Sequence, residues 1–254
     1  MKAKRYLILK ILAAVLIILS VFQLCRITIA KHNTATSFDR LRSQISEPPA
    51  TRDEIADNTE TKAEKDSKID SLQRLNPECV GWLKIDGTDI DYPVMLSLDD
   101  PEFYLDHDFD GNSNAYGVPF IDASGTEQSD NVTVYGHSMR DGSMFAQLER
   151  FTVPSFCKDK HSISFRTIDG EKIYEAVSVF KISEKDVSSF PYHLYHDFSS
   201  ESMLASDYIA RSKYYAIWYD NTAKINDTDK FLTLSTCEYT LDNGRLVVVA
   251  RAIT

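Results

Sequence analysis

The feature that most constrains this chain is an apolar run at residues 6–25, dominated by Leu, Ile, Val and Ala. About 20 such residues are what a helix needs to cross a bilayer. Lys10, Ser20 and Gln23 interrupt the run. Lys10 is close enough to its start for the side chain to snorkel toward headgroups. Lys2, Lys4 and Arg5 precede the run, so the positive-inside rule puts the N-terminus in the cytoplasm; Arg26 and Lys31 follow it and weaken that bias without reversing it. A cleaved signal peptide would have a shorter apolar core, roughly 7–15 residues, and a small-residue cleavage site. Thr28-Ile29-Ala30 is a poor version of one. The expectation is therefore an uncleaved single-pass anchor that leaves the rest of the chain outside the cell membrane.

Three segments follow from texture. Residues 1–30 read as a cytoplasmic tip and transmembrane anchor. Residues 31–68 read as a polar stalk: they carry Pro48-Pro49, and 52–68 are rich in Asp, Glu and Lys without aromatics. Residues 69–254 read as the folded domain, opening with a short helix at 71–75 that ends before Pro77. Strand-like runs then dominate. Runs 80–85 and 90–95 flank the turn signal Asp86-Gly87. Runs 117–121 and 132–135 are short and apolar. Runs 163–168 and 173–182, joined through Asp169-Gly170, predict a β-hairpin. Runs 231–234 and 246–250 look buried on both faces. Helices are predicted at 143–150 and at about 200–214, where Met203, Leu204, Tyr208, Ile209 and Ser212 share a face. Many short strands with few helices predict a closed or nearly closed β-barrel.

The formal net charge of −10 over 254 residues argues against a nucleic-acid partner, which needs a basic face. The four cysteines, Cys25, Cys79, Cys157 and Cys237, form no CxxC pair, so a zinc cluster is not expected. Three of them lie outside the anchor, and an exported chain with an odd thiol is a candidate for a reactive one. Cys79 and Cys157 read as buried small hydrophobes. Cys237 follows a strand that ends in small polar residues, so its thiol is accessible yet rigidly held. Eight residues on, Arg245 opens the next apolar strand. If the two strands pair, thiol and guanidinium share one end of the sheet, where a cation favours thiolate and can bind a developing oxyanion. A phosphatase would want the arginine closer, in a phosphate-cradling loop. A nucleophilic thiol also needs a proton carrier. Among six histidines, His137 directly follows a strand, on the tight turn that Gly136 permits.

Thr233-Leu234-Ser235-Thr236-Cys237 followed by Arg245-Leu246-Val247-Val248-Val249-Ala250-Arg251 resembles the signature of the sortase family around its active-site cysteine and arginine. Residues 131–145, with Tyr135-Gly136-His137-Ser138 at their centre, resemble the family's histidine segment in its class B form, and 104–111 and 117–122 have the same class B texture. The resemblance covers about residues 69–254, plus the anchor. It implies a mainly β, sortase-type closed barrel with N-terminal helices and a helix in a late inter-strand loop. It also implies a cysteine transpeptidase: Cys237 attacks the Thr carbonyl of a C-terminal sorting motif in a secreted protein, a thioacyl-enzyme forms, and an amine of the cell-wall peptidoglycan precursor resolves it. His137 would be the acid and base, Arg245 the oxyanion stabiliser, and no cofactor would be needed. Ser235 and Glu238, and also Leu105, match positions that line the peptide groove. Some class B members have an acidic residue two places after the cysteine; here it is Tyr239, and no triad role is carried to Glu238 or Asp242. The loop between cysteine and arginine is also short for the class.

Other signals are weaker. Asp106, Asp108, Asp110 and Gly111 imitate a calcium loop, but its twelfth position would be Gly117, without a bidentate carboxylate. His193 and His196 lack a third ligand nearby for zinc. The alternatives to transfer are a cysteine endopeptidase that mainly hydrolyses the same intermediate, and a non-enzymatic anchored adhesion or calcium-binding module.

Overall fold

The computed structural model describes residues 2–45, 62–198 and 204–253. The β-branched and aromatic runs become β1 (Cys79–Ile85), β2 (Asp91–Met95), β3 (Phe120–Ile121), β4 (Asn131–Tyr135), β5 (Ile163–Thr167), β6 (Gly170–Ile182), β7 (Ala216–Tyr219), β8 (Phe231–Glu238) and β9 (Gly244–Ala252). They pair in the order β5-β1-β2-β3-β4-β8-β9-β6, and β6 returns to β5, so eight strands close into a barrel. β6 is long enough to serve both neighbours: Gly170 to Tyr174 pair with β5, and Tyr174 to Ile182 with β9. β7 adds to β6 as a ninth strand. The pairs β2–β3 and β4–β8 are parallel and the rest antiparallel.

The run at 246–250 is continuous because β9 is buried on both sides. Leu246, Val248 and Ala250 join the barrel interior with Leu232, Leu234, Val132 and Val134. Val247 and Val249 join a second apolar layer with Phe180, Phe190, Tyr192, Tyr208, Ile209 and Phe231. Two short helices, α3 (Pro154–Lys158) and α4 (Glu184–Val187), precede α5 (Ala205–Tyr215); that layer is supplied by the segment after β6 and by α5, which packs on β6. The face of α5 differs slightly from expectation: Tyr208, Ile209 and Ser212 are buried, Leu204 is exposed, and Met203 lies outside the described residues. The helix expected at 143–150 is a 3₁₀ helix, Phe145–Thr152.

The helices ahead of the barrel depart most from expectation. α1 (Lys2–Ile45) runs without a break through the apolar segment and well into residues assigned to the stalk. Its first half presents bare apolar side chains: Ile11, Leu12, Leu16, Ile17, Ile18, Phe22 and Leu24 are all more than half exposed. It is long and apolar enough to cross a membrane. Its second half is docked. Thr34, Phe38 and Leu41, spaced as one helical face, are buried, with the Phe38 ring 4.9 Å from that of Tyr92 on β2. Arg40 Nη2 donates to both carboxylate oxygens of Asp110, and Arg42 reaches Asp91. α2 (Lys62–Leu75) starts earlier than the predicted 71–75 and adds Ile69 and Leu72 to the core. Residues 31–45 are therefore part of the folded body; 46–61 lie outside the described residues.

Leu41 is wholly buried, so Leu41→Ala should destabilise the domain by about 2–5 kcal/mol. Denaturant unfolding of the full chain in detergent checks this, and an unchanged midpoint would mean that residues 31–45 do not dock.

Candidate active site

Side chains alternate along a strand, so Thr233, Ser235 and Cys237 lie on one face of β8. The first two are covered by the second apolar layer. Thr233 Oγ1 lies 2.6 Å from Tyr208 Oη, and Ser235 Oγ lies 2.8 Å from Tyr192 Oη, all four groups being buried. At Cys237 the covering layer stops, and the side chain is half-buried on the wall of a cleft of about 730 Å³.

The pairing of β8 with its two neighbours brings the other groups alongside. On β9, Arg245 is the direct register partner of Cys237. On β4, Tyr135 is the partner of Ser235 in the parallel ladder. That ladder extends one residue further, through Gly136 N–H to Ser235 O at 3.2 Å and Thr236 Oγ1 to Gly136 O at 2.7 Å. His137 therefore emerges level with Cys237. Gly136 is required there, because a Cβ would sit 2.7–2.9 Å from the ring of buried Phe145. Leu105, His137, Ser235, Cys237 and Arg245, five of the six residues expected at the site, all line the cleft.

The imidazole is held by one strong contact: His137 Nε2 lies 2.6 Å from the carbonyl oxygen of Leu105. A carbonyl only accepts, so Nε2 carries the hydrogen and Nδ1 is the nitrogen free to exchange a proton when the ring is neutral. Leu105 ends the 3₁₀ helix Phe103–Leu105, and its carbonyl is backed by Gly117, where a Cβ would come within 2.6 Å of it. Arg245 Nη1 donates to Gly244 O at 3.0 Å and Asn243 O at 3.3 Å, which leaves donors of the guanidinium for a ligand in the cleft.

Glu238 needs a correction. It was expected to line the peptide groove, but β8 continues through it, and the residue after Cys237 faces the other way. Its buried carboxylate pairs with Lys181 at 2.7 Å and accepts from Thr240 N–H, Thr240 Oγ1 and Leu241 N–H, so it shapes the turn between Cys237 and Arg245. Burial works against its charge, but Lys181 and the turn donors outweigh it and hold the carboxyl below its ordinary range. Tyr239 is exposed and donates to Ser138 O at 3.1 Å, bridging the cysteine and histidine loops.

Burial pushes the thiols of both Cys79 and Cys157 up to about 12, which removes them as nucleophiles at neutral pH. Of the remaining histidines, His107 stacks on Phe103 and His161 on Phe156, while His193 also lines the cleft. Tyr135 and Tyr192 also line it and were missed from sequence; their phenols, raised by burial, stay neutral. The sequence signal was there, since Tyr135 is two residues before His137 and so shares its face. Asp110 of the calcium-like run is taken up by Arg40, and Asp108 accepts the backbone N–H groups of Asp110 and Asn112.

A barrel that presents cysteine and arginine on paired strands, with histidine level with them on a parallel third, has the architecture of a cysteine acyl-transfer enzyme. The chain belongs to the sortase family: the family's sequence model, described as "Sortase domain", matches residues 83–253. Curated relatives place it in class B. It is 31% identical to sortase B of Listeria monocytogenes, over 88% of this chain and 86% of that protein. It is 26% identical to sortase B of Staphylococcus aureus, over 100% and 99%. A crystal structure of a mutant form of Clostridium perfringens sortase B superposes with a TM-score of 0.72 at 27% identity, covering 87% of this chain and 98% of that one. The protein is thus a cysteine transpeptidase of the sortase type.

Lys181→Met leaves the Glu238 carboxylate buried without its cation and should cost about 1–3 kcal/mol of stability. Because the folded pKa of Glu238 is lowered, its stabilisation is complete above the unfolded value and is lost as pH falls through the folded one. The gap between parent and variant should therefore close in acid, which thermal melts across pH will show.

Proposed function

We propose that this protein is a single-pass enzyme of the cell membrane that cuts a C-terminal sorting motif of secreted proteins after Thr and transfers the acyl group to an amine of the cell-wall peptidoglycan precursor. The observation that carries this reading is the register match of Cys237 with Arg245, on the wall of a cleft that His137 shares. The exposed apolar half of α1 supports membrane insertion, with the barrel of residues 69–254 on the outer side. Leu105 and Ser235 are the proposed walls for the motif, and the amine acceptor approaches after the leaving peptide departs.

The reaction follows from the three side chains. The Cys237 thiol gives its proton to His137 Nδ1, the thiolate Sγ attacks the scissile carbonyl carbon, and negative charge develops on the carbonyl oxygen. Donors of Arg245 not used by Gly244 and Asn243 stabilise that charge. Collapse of the tetrahedral intermediate breaks the C–N bond, and His137 delivers a proton from Nδ1 to the departing amine. The thioester is then attacked by the acceptor amine, whose proton returns to His137 Nδ1, and the thiolate is expelled.

Three variants test these roles with a library of sorting-motif peptides, with and without added amine. Cys237→Ala should abolish cleavage and transfer while leaving the fold intact; residual turnover would end the covalent assignment. His137→Ala should lower turnover by about 10²–10⁴-fold with little change in peptide binding. Arg245→Lys should lose about 10²–10³-fold, because a mobile ammonium cannot replace a planar fork of donors. Near-parental turnover by Arg245→Lys would make Arg245 a solvated strand-end charge. Mass spectra showing a ligated peptide in the presence of amine distinguish transfer from hydrolysis alone.

A further inference from the structure

Two chains of contacts run from α1 to His137. In the first, Lys31 Nζ lies 2.8 Å from Asp141 Oδ2. Asp141 also accepts from Tyr116 Oη at 3.1 Å and from Ser143 N–H and Oγ. Burial disfavours the Asp141 charge, but Lys31, Ser143 and Tyr116 together hold its carboxyl well below the usual range. This fixes the loop that carries His137, and the loop closes with Phe145 N–H donating to His137 O at 2.8 Å. In the second chain, Thr34 Oγ1 accepts from Asn114 Nδ2 at 2.7 Å, and both residues are buried. Asn114 sets the turn to Gly117 through its own carbonyl, and Gly117 backs the Leu105 carbonyl that receives His137 Nε2–H. Lys31 and Thr34 are adjacent on one face of α1. The backbone that carries the imidazole and the acceptor that orients it are thus both held by the helix that emerges from the apolar run.

We propose that Lys31 and Thr34 are positioning residues for His137, so that the helix continuing from the membrane anchor is a working part of the catalytic apparatus. The proposal rests on the acyl-transfer reading of the cleft. It predicts that loosening α1 shifts the imidazole from its Nε2–H tautomer and slows proton delivery, while cleft and nucleophile stay intact.

The experiment uses the full chain in detergent micelles. Histidine is labelled with ¹⁵N, and the His137 signals are assigned by their loss in His137→Gln. The parent should show the Nε2–H tautomer. Lys31→Ala and Thr34→Val should each mix the tautomers and lower kcat by about 10–100-fold on the best-cleaved library peptide, with KM little changed; the melting temperature should stay near the parent's in Lys31→Ala and fall by roughly a few degrees in Thr34→Val, which leaves the buried Asn114 amide without its acceptor. Lys31→Arg and Thr34→Ser should restore both readouts, and Asp141→Asn should add little to Lys31→Ala. A parental His137 tautomer in Lys31→Ala and Thr34→Val overturns the proposal, whether or not turnover falls. So does a loss of turnover that only tracks KM or melting. The tautomer is read without substrate, so it decides the positioning role even if Cys237→Ala shows that the transfer reading is wrong.

Discussion

The parallel ladder between β4 and β8 is the interaction on which the rest of the site depends. It pairs Tyr135 with Ser235 and continues through Gly136, so the residue after the glycine lies beside the residue two after the serine. β8 then fixes Arg245 opposite Cys237 through its antiparallel partner. The three proposed reacting groups, from three separated stretches of chain, are brought level by backbone hydrogen bonds, and backbone carbonyls then orient two of them, His137 through Leu105 and Arg245 through Gly244 and Asn243. The thiol, His137 Nδ1 and the remaining guanidinium donors are left for substrate.

The same face of β8 explains why the cleft lies where it does. Thr233 and Ser235 place hydroxyls under an apolar layer, and both are satisfied: Thr233 Oγ1 donates to Asn131 Oδ1 and meets the phenol of Tyr208, and Ser235 Oγ meets that of Tyr192. The second layer can therefore cover polar positions and stop abruptly at Cys237. Fold and pocket are not separable here, since the lid over the first two residues ends as the wall beside the third.

Much of this was legible in sequence. Alternation and β-branched runs gave the barrel strands; three strand ends made Cys237, Arg245 and His137 candidates, and the family resemblance singled them out. β7 escaped because Ala216-Ile217-Trp218-Tyr219 follows α5 with no turn signal. The docking of residues 31–45 escaped because only Phe38 and Leu41 are large apolar groups fully buried there, with Ile45 partly buried against the core, while Lys31, Thr34, Arg40 and Arg42 do their holding through polar bonds that composition reads as solvated. Glu238 was placed in the groove by family resemblance alone, whereas β8 continues through it and alternation turns its side chain away from the face of Cys237. The Leu105 carbonyl as partner of His137 had no sequence signal at all, since a backbone acceptor carries no residue identity.

The unbroken helix also sets a geometry outside the barrel. An α-helix rises about 1.5 Å per residue, so Lys31 stands about 9 Å beyond Cys25 along the axis and Ile45 about 30 Å beyond it. With residues 6–25 in a bilayer, the barrel is a flag on a rigid mast rather than a float on a tether. It can tilt and spin with the helix but cannot rise, sink or swing away. The height of the thiol above the headgroups is then set by the length and tilt of the helix, which acts as a ruler: a scissile bond must be carried to that height, on a leash of matching length, to meet Cys237.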